Sequence, residues 1–168
     1  LTRAALEDEV TALGLPRFRA KQLWRWVWRH GLTSFDEMSD LGKPIRDHFA
    51  GLFTVDRPVV SRRLQSVDGT IKWLLRFVDG QEAETVYIPD KNRGTLCISS
   101  QVGCSLSCSF CATGTLGLTR NLSASEIYRQ VVYISKKCME IYNQPLTNIV
   151  FMGMGEPLLN YKNVLRSI

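Results

Sequence analysis

The segment IKWLLRF sets apolar Ile71, Trp73, Leu75 and Phe77 against Lys72, Leu74 and Arg76. A period of two marks a strand with one buried face. Asp68-Gly69 precedes the segment and Asp79-Gly80 follows it, where tight hairpin turns belong. Residues 59–89 are therefore expected to form a three-stranded antiparallel meander. In its last strand Glu84 shares the even-numbered positions with Val86 and Ile88. That pattern lays the carboxylate against an apolar surface, and desolvation makes a carboxylate a stronger base. Glu84 is thus a candidate general base.

Upstream the period lengthens to that of a helix. Residues 2–14 predict a helix closed by Gly14, and residues 18–30 a second closed by Gly31. Ser34 and Glu37 match a capping box for a third, and Pro44 can open a further turn through Phe49. Within PRFRAKQLWRWVWRHG, Leu23, Trp24, Val27 and Trp28 fall on one face and are expected in a core, leaving Trp26 among the arginines. Five basic residues and no acid lie between Arg17 and Arg29. Core packing explains most of this pattern, while a basic helix with an exposed aromatic also suits contact with RNA bases and phosphates.

Downstream comes a short strand from Thr95 through Ser99, a cysteine-rich loop, a helix from about Ala124 to Tyr142, and the apolar strand NIVFM. This β-loop-α-β order implies an α/β fold with a parallel pair of strands. Ser123 and Glu126 form a capping box for the long helix, and Ile127, Val131, Ile134, Cys138 and Ile141 make its buried stripe. Cys138 is accordingly assigned to packing. Three segments result: a helical module over 1–53, the meander over 54–92, and an α/β portion over 93–168.

Composition narrows the classes. A chain of 168 residues, 45% hydrophobic, holds enough apolar surface for one ordinary domain or two small ones. No apolar run of about 18 residues and no secretory leader pattern occurs, which makes the cytoplasm the expected compartment and a membrane an unexpected partner. Because the chain starts at Leu1 and stops at Ile168 in a helical pattern, it is expected to be a fragment. The net charge is +5, with seven basic against three acidic residues over 93–168. Excess positive charge around the cysteines suits an anionic partner such as RNA, and equally serves solubility.

Five cysteines is an odd number, and three of them, Cys104, Cys108 and Cys111, crowd into CSLSCSFCATG. Such crowding fits metal ligation in a reducing compartment better than a disulfide framework. A zinc site would draw its fourth ligand from Cys97, since His30 and His48 stand isolated in the helical module, but no second knuckle is present. An iron–sulfur cluster also takes thiolate ligands, and three cysteines would leave one iron of a cubane open to a small molecule.

Cys-x3-Cys-x2-Cys with Phe110 before the last cysteine resembles the signature of the radical S-adenosylmethionine (SAM) enzymes. The wider stretch LCISSQVGCSLSCSFCATGTLGLTRNLSASEI, with NIVFMGMGEPLLN after it, is similar to the RlmN/Cfr family, which methylates adenosine in RNA. The likeness extends to the helical module and the β segment. It implies a partial radical-SAM (β/α) barrel over 93–168, with Cys104, Cys108 and Cys111 holding a 4Fe-4S cluster whose open iron is chelated by SAM. Phe110 would lie near the adenine of SAM, and Gly155 and Glu156 of GMGEP would receive its amino group. One SAM would methylate a cysteine; a radical from a second would activate that methyl group, which adds to the base. Glu84 matches the base that then removes the ring proton. Cys97 matches the cysteine that releases the product by forming a disulfide, although a buried strand thiol is the plain structural reading of it.

The resemblance further implies 23S rRNA as substrate with tRNA as a second candidate, a flavodoxin or ferredoxin as electron donor, and a monomer. The proline of GMGEP leans toward carbon 2 of adenine over carbon 8. Another radical-SAM enzyme and a zinc-binding RNA module without catalysis stand as the competing readings. The methyl-carrying cysteine of the family lies beyond this chain, Cys138 does not match it, and about 75 residues after Arg93 fall short of the ~200 of a typical barrel. This chain by itself is not expected to turn over.

Overall fold

The computed structural model describes residues 3–32, 34–55 and 57–168. The chain divides into two compact units, residues 1–57 and 58–168.

The first unit is helical. Helix α1 spans Arg3–Ala12 and α2 spans Phe18–Trp24, each followed by a left-handed glycine, Gly14 and Gly31. Thr2, where the sequence pattern starts the first helix, lies outside the described residues. Beyond Trp24 the second helix widens into a π-turn over Arg25–Arg29, where the His30 N–H reaches the Arg25 carbonyl at 3.1 Å. The extra residue per turn rotates the following side chains. The expected assignment of the tryptophans changes as a result. Trp26 packs on the core formed by Val10, Leu23, Met38 and Phe49, with its Nε1–H on Asp40. Trp24 and Trp28 are half-buried and meet with their rings tilted by 39°, centroids 5.2 Å apart. Acids from neighbouring elements meet two of the basic residues: Arg17 pairs with Glu7, and Arg25 with Asp40.

Ser34 opens only a single 3-10 turn, Phe35–Glu37, its Oγ accepting the Asp36 N–H at 3.3 Å in place of the expected capping box. Helix α3, Lys43–Leu52, follows with Pro44 in its first turn, where a missing N–H costs no helical bond.

The second unit is built on a mixed sheet of order β1-β2-β3-β4-β7. Strands β1 (Val59–Gln65), β2 (Ile71–Arg76) and β3 (Glu82–Asp90) form the meander. Strand β4 (Arg93–Cys97) continues it antiparallel, and β7 (Asn148–Val150) closes the row parallel to β4. A boundary at residues 92/93 thus falls inside the β3–β4 hairpin, because the ladder runs unbroken from Val86↔Cys97 to Asp90↔Arg93. One parallel pair is present, and a closed barrel is not found among the described elements.

Helix α4 spans Ala124–Tyr142 with the predicted capping box complete, and Asn143 ends it at φ 50°. Its stripe packs Ile127, Ile134 and Cys138 with Trp73, Leu75 and Tyr87 of the sheet. Ile141 departs from the expected stripe and is exposed, lying in the last turn before the cap. Two short strands, β5 (Gln101–Gly103) and β6 (Leu118–Asn121), form a separate hairpin whose connection is the cysteine loop. Helix α5, Tyr161–Ser167, ends the chain.

Cys138 is fully buried, and burial pushes its thiol up to about 11. Only the thiolate is alkylated. From an ordinary value of 9.0, such a rise cuts the thiolate fraction near pH 8 by about a hundredfold. Iodoacetamide at pH 8 is expected to leave Cys138 unmodified in the native chain and to label it fully in denaturant, as read by peptide mass mapping. Equal labelling in both states would remove Cys138 from the core.

Candidate functional site

The ladders decide which side chains share a face. Lys72 faces Val86, Val86 faces Cys97, and Cys97 faces Val150, so these four form one row across the sheet. Glu84, two residues from Val86 on β3, points to the same side. Glu84 and Cys97 are therefore brought to one face, opposite the face that carries Trp73, Thr85 and Tyr87 against the core. This face is half-exposed and not the apolar surface expected for Glu84. The carboxylate is 42% exposed and its Oε1 lies 3.0 Å from Lys72 Nζ. Lys72, an even-numbered position in IKWLLRF that no motif marks, is thus the cation beside Glu84. Cys97 is half-buried, and burial raises its thiol above the ordinary value.

The cysteine loop leaves and rejoins the chain at one place. The Cys104 N–H donates to the Gly117 carbonyl at 3.0 Å, and β5 pairs with β6 on either side. Gly103, at φ 75°, passes so close to the Gly117 carbonyl that a Cβ could not be accommodated. Arg120 on β6 then anchors the stem. Its Nη1 and Nη2 donate to both Glu126 oxygens at 3.0 and 2.8 Å, and its Nε to Asp79 at 2.5 Å. Burial works against the Glu126 charge, yet Arg120 and the Ser123 N–H and hydroxyl hold its carboxyl below the usual range.

Within the loop Cys104 is buried, Cys111 half-buried and Cys108 exposed. The Leu106 N–H points at Cys104 Sγ at 3.4 Å. The Gly114 and Thr113 N–H groups hold the Cys111 thiol below its ordinary value, outweighing the effect of burial. Backbone amides aimed at sulfur stabilise thiolates and tune thiolate-bound iron. The donor set therefore fits an iron–sulfur cluster by its chemistry. Among the described residues no three His, Cys, Asp or Glu side chains are gathered closely enough to hold a metal ion, so the three loop cysteines share one loop but are not drawn together around a point, with or without Cys97. Phe110 stands 91% exposed beside Cys111.

The GMGEP turn follows β7. The Gly153 N–H meets the Ile98 carbonyl at 3.1 Å, and the Met154 carbonyl accepts from the Ser100 and Gln101 N–H groups at 2.9 and 3.2 Å. Gly155, at φ 94°, lies so near the Gln101 side chain that a Cβ would collide with it. Gln101 Oε1 accepts the Glu156 N–H at 2.8 Å, while its Nε2 donates to Asn121 on β6 at 2.7 Å. Thus one buried amide ties the turn to both strands of the cysteine-loop stem. Glu156 caps the next turn, its Oε1 accepting the Leu158 N–H at 2.9 Å.

Sequence reasoning overlooked Ser99, Gln101, Gln130 and Asn160, all buried polar residues around this junction. Asn160 Nδ2 donates to the Ser100 and Leu122 carbonyls, both at 2.7 Å. Gln130 alone gave a signal: it lies between Ile127 and Ile134 on the buried side of α4, where an apolar residue is the rule.

Residues 1–55 match the family model described as "Ribosomal RNA large subunit methyltransferase N-terminal domain". The whole chain is similar to curated proteins named "Dual-specificity RNA methyltransferase RlmN". That of Beijerinckia indica is 48% identical, covering 99% of this chain and 49% of the relative. That of Magnetococcus marinus is 53% identical, covering 98% of this chain and 46% of the relative. Among solved structures, a radical SAM methyltransferase from Sphaerobacter thermophilus superposes with a TM-score of 0.89 at 46% identity, over 99% of this chain and 49% of that one. The chain thus spans about half the length of the relatives it matches.

Proposed function

The chain belongs to the RlmN family, and from that membership we propose that it is the N-terminal and central part of a radical-SAM methyltransferase acting on carbon 2 of adenosine in RNA. The substrate class is 23S rRNA, with tRNA as the second RNA that a dual-specificity enzyme of this kind takes. The observation that carries the reading is the Gln101 link. It sets the GMGEP turn against the stem of a loop that carries three cysteines, a ligand type that iron takes.

Cys104, Cys108 and Cys111 would hold the 4Fe-4S cluster. When bound, the cluster supplies the electron, and SAM the methyl group, that the reaction consumes. Gly155, whose backbone packs closely on the Gln101 side chain, and Glu156, whose Oε1 caps the next turn, would receive the amino group of SAM. Phe110, with an uncovered ring, offers a stacking surface for the adenine.

Glu84 would take the proton from carbon 2 once the adduct has given up its odd electron, for which the bound cluster would be the acceptor. Cys97 then bonds to the sulfur of the methyl-carrying cysteine, breaking that sulfur's bond to carbon; the electron pair stays with the product and a solvent proton completes its methyl group. Both residues face the same side of the sheet, as one substrate base requires. The first unit serves RNA contact, the barrel is completed by chain outside these residues, and a flavodoxin or ferredoxin delivers the electron to a cytoplasmic monomer. Among the described residues no helix is long and apolar enough to cross a membrane.

The test is nucleoside mass spectrometry. A polypeptide of the relatives' full length carrying this sequence, reconstituted anaerobically, is incubated with unmodified 23S rRNA and SAM, and the RNA is digested. 2-Methyladenosine is the expected product. 8-Methyladenosine would move the chain to the carbon-8 activity, and no methylated adenosine would sink the reading.

A further inference from the structure

The β3–β4 ladder ends before it reaches the candidate base. Tyr87 faces Leu96 and Val86 faces Cys97. Two further steps would set Ser99 opposite Glu84, but pairing stops at Cys97. The backbone of Ser99 is held elsewhere: its N–H donates to Gln130 Oε1 and its carbonyl accepts from Gln130 Nε2, both at 2.9 Å. Gln130 Oε1 also accepts the Thr85 hydroxyl at 2.9 Å. Ser99, Gln130 and Thr85 are all fully buried.

With the ladder broken, other groups take the two backbone positions of Glu84. Its carbonyl accepts the Ser99 hydroxyl at 2.6 Å, and its N–H points at Met154 Sδ at 3.3 Å. The same Ser99 oxygen accepts the Met154 N–H at 2.8 Å. One hydroxyl therefore joins the strand of Glu84 to the residue before Gly155 and Glu156. Buried polar groups are costly unless every one is partnered, and a satisfied network holds its members in a single arrangement.

We propose that Ser99 is a positioning residue, fixing Glu84 relative to the turn that receives SAM. The proposal rests on the assignment of Glu84 as base and of GMGEP as the SAM turn. Ser99 acts through the Glu84 carbonyl and the Met154 amide, both of which its hydroxyl contacts. A displacement of about 1 Å at a reacting group can cost on the order of a hundredfold in rate.

Two measurements on Ser99→Ala test it. In the full-length polypeptide, kcat for RNA methylation is expected to fall at least about tenfold, with KM for RNA and iron content unchanged and more SAM consumed per methyl group transferred. In the same full-length polypeptide, hydrogen exchange at the Glu84 and Thr85 amides is expected to quicken while Ile71 and Trp73 stay protected. An unchanged kcat overturns the proposal. Uniformly faster exchange, or loss of iron, overturns it too, because Ser99 would then be a general core residue. Glu84→Gln, run alongside, separates the two readings: a normal rate there would mean the base is misassigned, whereas a slow Glu84→Gln beside a normal Ser99→Ala removes the positioning role alone.

Discussion

About four irons and four acid-labile sulfides per chain are expected after anaerobic reconstitution, and Cys104→Ala is expected to lose nearly all of both. Cys104 is the right residue to remove. It is the buried member of the three, its N–H closes the loop on Gly117, and its sulfur faces the Leu106 amide. The substitution deletes one thiolate and leaves the loop-closing backbone bond in place, so lost iron reports ligation and not an opened loop. Metal and sulfide assays with the absorption spectrum check it. About one zinc and no sulfide would mean a structural site, and the radical reading would fail.

Glu84→Gln should slow RNA methylation by about a hundredfold to ten-thousandfold, the usual range for a general base, with iron content unchanged. Glutamine keeps the size and the strand position but cannot take a proton. It also breaks the pair with Lys72; since both partners are 42% exposed, that pair contributes only about 0–1 kcal/mol to stability. A large fall in melting temperature is not expected, so a rate loss reads as chemistry. Cys97→Ala separates the later step: the proton is removed, but the RNA stays joined to the enzyme. Single-turnover methylation with denaturing electrophoresis of protein and RNA distinguishes the two variants. A normal rate for Glu84→Gln would exclude it as the base.

The sequence displays most of the frame. The alternation of Ile71, Trp73, Leu75 and Phe77 and the Ser123–Glu126 box are short-range signals, and each appears as an element. The cysteine spacing is equally local. Hidden features depend on distant partners. The π-turn that brings Trp26 onto the core is set by packing and by Asp40. The β5–β6 hairpin has strands of three and four residues, too short for a periodic signature. The alternation puts Glu84 on the face of Val86, but it does not display Lys72 beside it, because that side chain approaches from another strand. The junction of Ser99, Gln101 and Asn160 is polar, and hydrophobic patterning does not register it.

The stem beneath the cysteines bears on what the fold would keep if a cluster held there were lost. Residues 104–117 leave the fold through β5 and return through β6, and Arg120 fastens that return to Asp79 and Glu126. None of the sheet ladders and none of the buried polar contacts at Ser99 pass through the loop itself. Loss of a cluster held there would therefore leave the sheet ladders and the junction at Ser99 in place, and the stem would still present the same loop to fresh iron and sulfide.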